Sequence, residues 1–595
     1  MADYRAPLAD MRFVLDEVVG FGEIAQLPGY EEATPDLVDA VLAEAGRVAA
    51  EVIGPLNRVG DTQGSVLENG VVRTPEGFKS AYGTFVEGGW NGLACDPAYG
   101  GQGLPFALST AVTEIWDAAN TAFALCPMLT QGAVEAIRAH ATPALKDAYL
   151  PKMVSGEWTG TMNLTEPQAG TDVGALRTRA VPEGDHYRIT GTKIFITYGD
   201  HDYTDNIIHL VLARLPDAPP GVKGISLFLV PKVLVNADGS LGARNDVRCV
   251  SLEHKLGIHA SPTCVLSFGD DGGAVGYLVG EENQGMACMF TMMNAARLNV
   301  GLLGLGTAER AYQQAADYAR ERVQSRDIAG GAAAVTIIHH PDVRRMLMTM
   351  KAHIEAMRAL SYAMAGAIDR ARRSPDEAAR RQAQTEVDIL TPVVKAWCTD
   401  VGCDLTSIGI QIHGGMGFIE ETGAAQHYRD CRIHPIYEGT NGIQALDLMG
   451  RKLLRDGGAA VRNFLAHMAA DNVSKASTDA DIAAVRKAMH EGLDCLSAAT
   501  DWMLETGKRD IHLAAASAVP YLTLFGNVTA GWLMARAAVA AERRRGDADG
   551  DARFLEGKIK TARFFADQVL ARSRGLLQIV SEGGGTVMAL DEAQF

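Results

Sequence analysis

The alternation of hydrophobic and polar positions divides the chain into a helical region, a strand-rich region and a second, longer helical region. Apolar residues recur at helical spacing in residues 38–44 and 108–122, which predicts α-helices. Short β-branched runs at residues 207–213 and 225–230 are bounded by Pro, Gly or Asp, as is typical of strands. Helical spacing returns after Gly285. The pattern therefore predicts a mainly α protein with a central β domain.

Two local patterns refine this picture. Residues 187–193 have the pattern of a β-hairpin, and residues 289–326 have the pattern of one long helix. The glycine-spaced segment from Gly301 to Gly306 lies inside that helix pattern, so we expect the glycines to allow close packing.

The 23 residues 513–535 carry no charge, but they include Pro520 and several polar residues. A membrane-spanning helix needs about 20 predominantly apolar residues. We therefore expect one or two buried helices that are broken near Pro520.

Length and charge narrow the class of protein. A chain of 595 residues is too long for one hydrophobic core, so several domains are expected. The formal net charge of −17 argues against nucleic acid as a partner, because phosphate binding needs a basic face. Nine cysteines without a CxxC motif indicate reduced thiols of a cytosolic enzyme, and no ligand spacing supports a metal site. The first residues lack the apolar core of a secretory signal.

Several common enzyme motifs are absent from the sequence. There is no GxGxxG after a predicted strand, no GxxxxGK[ST] and no GxSxG. A Rossmann dinucleotide site, a P-loop and a hydrolase nucleophile elbow therefore have no support.

The most informative segment is Ile436-Tyr437-Glu438-Gly439-Thr440, which places a carboxylate in a short turn between two helical regions. A Glu in a turn is usually a solvated surface charge. Several other segments, however, fit one chemistry together with it. In their company Glu438 is interpreted as a general base that acts on a carbon acid.

Two of these segments border the predicted β domain. The first, residues 162–172, turns at Pro and Gly and offers hydroxyls and backbone N–H groups to a planar heterocycle or a phosphate. The second, residues 193–197, presents Phe195 and Thr197 on one face of a strand. The plain alternatives are an ordinary loop and a core Phe beside a β-favouring Thr.

These segments resemble the acyl-CoA dehydrogenase family, and the resemblance covers roughly residues 40 to 450. Residues 164–172 match the family's L/V-T-E-P-x-A-G-S/T-D segment, and residues 193–197 match K-x-W-I-T except that Phe195 replaces Trp. The resemblance implies bound FAD, with Thr165 and Thr197 hydrogen-bonded to the flavin ring and Phe195 against one ring face. It also implies further FAD contacts from Met162, Leu164, Gly170, Thr171 and Thr440.

Two later segments resemble the family's contacts to the rest of FAD. Arg322-Val323-Gln324 matches R-x-Q, although Ser325-Arg326 replaces the usual Phe-Gly, and residues 411–417 match the family's Gly-Gly loop. By resemblance Arg322 would pair with the pyrophosphate, a task suited to a guanidinium; the alternative is an exposed helix Arg. The FAD contacts of the loop would be Gln411, Gly414 and Gly415. In relatives both segments serve the flavin of a neighbouring subunit, which implies an oligomer, and the long relatives suggest a homodimer.

The resemblance also selects the base. Arg297, which follows Asn294-Ala295-Ala296, matches the Arg that supports the acyl-CoA pocket. Members such as isovaleryl-CoA dehydrogenase carry the base just before this Arg, where this chain has Ala296. Glu438 is then the family-consistent base. The implied substrate contacts are Thr171, Asn294, Arg297, Tyr437 and Gly439.

The length and an added C-terminal helical domain resemble a long bacterial subgroup, which includes 3-methylmercaptopropionyl-CoA and broad-range fatty acyl-CoA dehydrogenases. The implied fold is a helical domain, a β-barrel-like middle domain and a four-helix bundle, followed by the additional domain. The expected domains are a helical extension at 1–36, an N-terminal α domain at 37–157, a middle β domain at 158–282, a bundle carrying the base at 283–455 and the additional helical domain at 456–595.

The implied function is FAD-dependent α,β-desaturation of an acyl-CoA thioester to the trans-2-enoyl-CoA. The expected substrate is either 3-methylmercaptopropionyl-CoA or a medium- to long-chain fatty acyl-CoA, with an electron-transfer flavoprotein as acceptor. Two alternatives remain open: an acyl-CoA oxidase that uses oxygen, and a non-catalytic acyl-CoA-binding relative. A cytoplasmic location is expected, with at most peripheral contact with the inner membrane.

Overall fold

The computed structural model describes residues 4–471, 477–546 and 551–595. The chain forms two compact units. The first, here the β unit, comprises Arg47–Leu104 and Ala119–Asn299. The second, here the helical unit, comprises Met1–Gly46, Pro105–Ala118 and Val300–Phe595.

Helices dominate the chain. In chain order the α-helices are α1 Leu8–Phe13, α2 Phe21–Ile24, α3 Pro35–Val48, α4 Leu56–Gln63, α5 Phe78–Glu87, α6 Phe106–Ala119, α7 Thr121–His140, α8 Pro143–Ser155, α9 Gly285–Glu321, α10 Pro341–Arg373, α11 Glu377–His413, α12 Ala424–Cys431, α13 Asn441–Asp447, α14 Ala459–Ala470, α15 Ala480–Arg509, α16 Ile511–Ala516, α17 Ala518–Arg544, α18 Ala552–Gln568, α19 Ser573–Gln578 and α20 Gly584–Val587.

Most strands belong to the β unit. In chain order they are β1 Val66–Glu68, β2 Val71–Arg73, β3 Thr159–Asn163, β4 Arg179–Glu183, β5 His186–Thr197, β6 Ile207–Arg214, β7 Ile225–Pro231, β8 Val233–Val235, β9 Leu241–Arg244, β10 Val247–Leu252, β11 Thr263–Phe268, β12 Ala274–Val279, β13 Val323–Arg326 and β14 Ala334–Thr336. An eight-stranded sheet runs in the order β10-β11-β5-β12-β7-β6-β3, and β4 pairs with β5 and β6.

The core of the β unit lies against this sheet. Strand β7 is buried along its whole length, and β6 is buried except at its last residue, which explains their continuous apolar sequences. Ile189, Val211 and Phe228 belong to one buried cluster. The predicted central β domain is confirmed.

The predicted hairpin at residues 187–193 is wrong, because these residues lie within the single 12-residue strand β5. Gly191 sits inside this strand. A Cβ atom there would lie 2.5 Å from the Thr178 hydroxyl oxygen. The glycine therefore allows a close approach of neighbouring chain segments.

Close helix packing explains the glycines from Gly301 to Gly306. A Cβ atom on Gly304 would lie 2.6 Å from the carbonyl oxygen of Cys398 in α11. A Cβ atom on Gly306 would lie 2.7 Å from the backbone nitrogen of Ala118 at the end of α6. The packing interpretation of this segment is confirmed.

Helix α9 ends earlier than the sequence pattern predicted, at Glu321 rather than residue 326. The next residues form β13, which pairs antiparallel with β14. The backbone N–H of Ile337 donates to the carbonyl of Arg322 at 2.8 Å. The chain therefore exchanges helical hydrogen bonds for a two-stranded ribbon directly after Arg322.

The uncharged run at residues 513–535 forms helices α16 and α17, with a break at Ser517. Most of α17 is buried. The predicted break near Pro520 is confirmed. Over residues 4–471, 477–546 and 551–595, no helix is long and apolar enough to cross a membrane.

A buried ion network joins the N-terminal segment to the C-terminal helices within the helical unit. Arg358 in α10 pairs with Glu114 in α6 at 2.6 Å, and it also pairs with Asp10 in α1. Lys558 in α18 pairs with Asp10 at 2.6 Å and with Glu355 at 2.8 Å. The two cations satisfy carboxylates that would otherwise be costly to bury.

Candidate active site

The two segments predicted to hold the flavin ring lie side by side in the β unit. Leu164 and Thr165 follow the end of β3, and the backbone N–H of Ile194 in β5 donates to the carbonyl of Thr165 at 2.9 Å. The side chains of Thr165 and Thr197 are half-buried. In the part of the chain that the structure describes, neither hydroxyl has a hydrogen-bond partner. Both remain available to a ligand.

Phe195 is presented on the surface by an irregularity in β5. The register with β11 shifts between Cys264 and Leu266, so two residues of β5, Ile194 and Phe195, face one residue of β11. Phe195 has φ of 60° and is 58% exposed. A large aromatic side chain in the left-handed region is a genuine outlier, and such outliers concentrate at functional sites.

An ion pair beneath these residues escaped the sequence analysis. Lys193 is fully buried, and its Nζ lies 2.8 Å from Glu166 Oε1 and 3.0 Å from the carbonyl oxygen of Leu164. Burial alone would raise the pKa of Glu166. Lys193 and the hydrogen bonds from Thr178 and Arg177 outweigh burial and lower that pKa to about 2. Burial lowers the pKa of Lys193 to about 8.

The remaining predicted FAD contacts of the β unit differ in exposure. Met162 is half-buried on β3, and Gly170 and Thr171 are exposed in the loop that follows Glu166. Asp172 closes this loop, because its carboxylate accepts a hydrogen bond from the backbone N–H of Gly174 at 2.9 Å.

The predicted substrate residues Asn294 and Arg297 lie one turn apart on α9. Arg297 is buried, and its Nη1 donates to Asn294 Oδ1 at 3.4 Å. Its guanidinium also lies 6.0 Å from the ring centre of Phe290. Ala296, at the alternative base position, is buried and has no proton-accepting group.

The turn that carries Glu438 belongs to the helical unit. Glu438 has φ of 57° and Gly439 has φ of 83°, so two consecutive residues adopt the left-handed conformation. A non-glycine residue pays about 1–2 kcal/mol for this conformation. The Glu438 side chain is half-buried, and helix α13 begins three residues later at Asn441. The strain at Glu438 is consistent with a functional position.

Neutral aromatic groups lie beside Glu438. His434 is buried and stacks on Tyr437 with ring centres 5.9 Å apart. Burial and the nearby Lys395 lower the pKa of His434 to about 3. Burial and the neighbouring Glu438 raise the pKa of Tyr437 well above its usual value. Neither side chain carries a charge near neutral pH.

Polar side chains from α11 and α13 anchor the end of the turn, and the sequence analysis did not identify them. Fully buried Lys395 donates to Asn441 Oδ1 at 2.8 Å. The Asn441 side-chain amide donates to Thr399 Oγ1 at 2.9 Å and to Asp400 Oδ1 at 2.7 Å. These bonds fix the first residue of α13 directly after the exposed Thr440.

The structure brings the helix ends of Arg322 and Gln411 together within the helical unit. Tyr318, one turn before Arg322, stacks on His413 with ring centres 4.5 Å apart. The side chains of Arg322 and Gln411 are exposed. Gly414, which has φ of 59°, and Gly415 are also exposed, and a Cβ atom on either would meet open space.

The described residues contain neither a candidate metal site nor a disulfide bond. No group of three or more His, Cys, Asp or Glu residues is placed to hold a metal ion in the described ranges. All nine cysteines, which lie within those ranges, are free thiols.

Family comparisons cover most of the chain. Three successive models match: the acyl-CoA dehydrogenase N-terminal domain at residues 42–157, its middle domain at 161–270 and its C-terminal domain at 283–454. A fourth model, described as acetyl-CoA dehydrogenase C-terminal like, matches residues 459–591.

Individual relatives match over nearly the whole length. The chain is 48% identical to a 3-methylmercaptopropionyl-CoA dehydrogenase of Ruegeria pomeroyi, over 98% of this chain and 99% of the relative. It is 35% identical to the broad-specificity linear acyl-CoA dehydrogenase FadE5 of Mycobacterium tuberculosis, over the full length of both. The fold is that of Caenorhabditis elegans ACDH-11, with a TM-score of 0.75 at 20% identity over 98% of this chain and 97% of that one. This chain belongs to the acyl-CoA dehydrogenase family.

Proposed function

We propose that this FAD-dependent acyl-CoA dehydrogenase desaturates 3-methylmercaptopropionyl-CoA and that Glu438 is its catalytic base. The observation that carries the proposal is the left-handed backbone of Glu438, in a chain that is 48% identical to a dehydrogenase named for this substrate. A strained carboxylate needs a reason to persist, and proton abstraction supplies one.

The carboxylate of Glu438 removes a proton from the α carbon of the thioester. FAD, held by Thr165, Thr197 and Phe195, would supply the oxidant for this reaction, an acceptor for the β hydrogen as a hydride. The backbone N–H of Glu438 donates to the thioester oxygen and stabilises the negative charge that develops there. His434 and Tyr437, which lie beside this carboxylate, are both neutral near neutral pH.

Residues near the turn contact the acyl chain. The Tyr437 hydroxyl is buried, and it has no hydrogen-bond partner among the residues that the structure describes. Its proposed partner is the bound substrate, and Gly439 lines the same surface. Thr171, Asn294 and Arg297 contribute the other proposed substrate contacts, with Arg297 already held by Asn294.

The β unit provides the proposed contacts to the flavin ring. The hydroxyls of Thr165 and Thr197 are unpartnered within the described residues, and an exposed aromatic ring lies next to them at Phe195. A planar ring that accepts hydrogen bonds at its edge and stacks on one face fits this arrangement. The remaining proposed contacts there are Met162, Leu164, Gly170 and Thr171, and Thr440 contributes from the base turn.

A second copy of the chain is the proposed partner of the surface that carries Arg322 and the Gly414–Gly415 loop. Arg322, Gln411, Gly414 and Gly415 would contact the pyrophosphate and adenine half of the second copy's FAD. The chain segments that carry these residues also carry exposed apolar side chains: Val323, Ile328, Met416, Phe418 and Ile419. Exposed apolar side chains are typical of a protein interface, which supports a homodimer.

Electron transfer and location complete the proposal. An electron-transfer flavoprotein is the proposed acceptor, as the family implies. A cytoplasmic location is proposed because nine free thiols suit a reducing compartment.

The test is a panel of acyl-CoA thioesters ranked by kcat/KM with a dye as acceptor. We expect 3-methylmercaptopropionyl-CoA to exceed octanoyl-CoA and palmitoyl-CoA by at least about tenfold, since misfitting methylenes cost about that much. Preference for a long chain would contradict the substrate assignment. Stoichiometric hydrogen peroxide in air, without need of the dye, would identify an oxidase instead.

A further inference from the structure

Gln444 lies beneath the base turn and contacts its backbone. Its side chain is fully buried in the first turns of α13. The amide Nε2 donates to the carbonyl oxygen of Gly439 at 3.1 Å and to that of Glu438 at 3.4 Å. These are the carbonyls of the two residues that adopt the left-handed conformation.

The orientation of this amide is fixed by its surroundings. If the amide were rotated by 180°, Oε1 would face these two carbonyl oxygens. Neither can donate a hydrogen bond, so that orientation is disfavoured. In the present orientation Oε1 is buried and has no hydrogen-bond partner in the described part of the chain. A buried acceptor without a partner lowers stability, so the side chain is not explained by stability alone.

The backbone bonds of the turn do not hold Glu438 by themselves. The N–H of Asn441 donates to the carbonyl of Pro435 at 3.0 Å, which closes the loop around Glu438 and Gly439 from outside. The carbonyls inside the loop are reached by the Gln444 side chain. A left-handed non-glycine residue relaxes readily unless its surroundings determine it.

We propose that Gln444 is a positioning residue, whose amide group holds the peptides on either side of Gly439 and so aims the Glu438 carboxylate at the substrate. The inference rests on the proposed role of Glu438 as the base. Gln444 contacts neither the substrate nor the reacting atoms; it acts through the backbone of Glu438.

The test measures proton removal separately from hydride transfer. Methylthioacetyl-CoA carries a sulfur atom at the β position, so it has an α proton but no β hydrogen to transfer. In D₂O, FAD-loaded enzyme exchanges the α hydrogen of this thioester that faces the base for deuterium, and mass spectrometry follows the exchange. Rates are divided by the FAD-loaded fraction, and binding of the thioester is measured by titration.

Two substitutions remove the donor in different ways. Gln444→Met keeps the length without polar atoms, and Gln444→Leu removes the amide with a shorter apolar side chain. We expect the exchange rate to fall at least about tenfold in both variants, because a misplaced catalytic group slows the reaction by at least that factor. The thioester affinity and the KM for 3-methylmercaptopropionyl-CoA should change little. Gln384→Met, at an exposed position of α11, is the matched control and should exchange normally.

The outcomes separate this inference from the proposed function. If Glu438→Gln retains exchange, the base assignment fails. If Glu438→Gln loses exchange while both Gln444 variants keep it, only the positioning role fails. If both Gln444 variants lose FAD or thioester binding in proportion to exchange, the residue is structural and the positioning role is overturned.

Discussion

Lys193 Nζ lies 2.8 Å from Glu166 Oε1 in the interior of the β unit, and the same amine donates to the carbonyl of Leu164. This pair connects the two segments that are proposed to hold the flavin ring. The Glu166 carboxylate also accepts hydrogen bonds from Thr178 and from the backbone of Arg177. These bonds stabilise the buried Glu166 carboxylate. Removal of Lys193 would leave that negative charge buried without its cation, which destabilises the fold.

Lys193→Met should therefore weaken both stability and FAD binding. The substitution leaves Glu166 buried without its cation, and we expect a loss of about 3–5 kcal/mol in the free energy of unfolding. Denaturant unfolding and the absorbance of bound FAD measure the two effects. The double variant Lys193→Met with Glu166→Gln removes both charges and should recover part of the loss. A single variant within about 1 kcal/mol of wild type would contradict this role.

The same pair predicts an acid-sensitive contribution to stability. The pKa of Glu166 in the folded protein, about 2, lies below its ordinary value of 4.5. Its contribution is therefore complete above about pH 4.5 and is lost as the pH falls toward 2. Its size is about 3 kcal/mol, at about 1.4 kcal/mol for each pH unit. The free energy of unfolding, measured between pH 6 and pH 3, should fall less steeply with decreasing pH in Glu166→Gln than in the wild type. An identical slope in the two proteins would contradict the role of the Lys193–Glu166 pair.

Phe195→Ala should weaken FAD binding without unfolding the protein. The side chain is mostly exposed, and Ala bears a similar left-handed backbone cost, so the change removes mainly the aromatic surface. We expect the dissociation constant for FAD to rise about two- to tenfold, the equivalent of 0.5–1.5 kcal/mol. Fluorescence titration of the apoprotein measures it, with Phe195→Trp as a control that keeps an aromatic face. Unchanged affinity in the Ala variant would remove Phe195 from the site.

Phe418→Glu should dissociate the proposed homodimer. The Phe418 side chain is 85% exposed beside the Gly414–Gly415 loop, and a charge there disfavours burial against a second copy. Sedimentation velocity should show a shift from dimer to monomer, with a lower FAD content. Val66→Glu, at an exposed apolar position of the β unit, is the control and should sediment as wild type. If the Phe418→Glu variant still sediments as a dimer, the interface does not include Phe418.

The sequence predicted elements whose signals are local. The uncharged helix broken near Pro520 and the close-packed glycines at 301–306 follow from composition and spacing, and the structure agrees. The predicted hairpin at 187–193 is wrong because Gly191 lies within a strand. The sequence alone does not distinguish a glycine that allows a close approach to Thr178 from a glycine in a turn. The early end of α9 depends on pairing with β14, which no window around Arg322 reveals.

The site could be predicted only as far as motifs reach. The family resemblance points to Glu438, but its left-handed backbone appears only in the structure. Lys193 and Glu166 are 27 residues apart, and each looks unremarkable in its own segment. Gln444 resembles any polar helix residue until its amide is seen to contact the Gly439 carbonyl. Long-range polar contacts of this kind have no periodic signature.

If Glu438 removes the α proton, its replacement must slow reduction of the flavin in a single turnover. Glu438→Gln keeps the size and the backbone of the residue but cannot accept a proton. Mixed anaerobically with 3-methylmercaptopropionyl-CoA in a stopped-flow instrument, the FAD-loaded variant should lose flavin absorbance at least about a hundredfold more slowly than wild type, the usual share of general base catalysis. Near-normal reduction by the fully loaded variant would show that Glu438 is not the base.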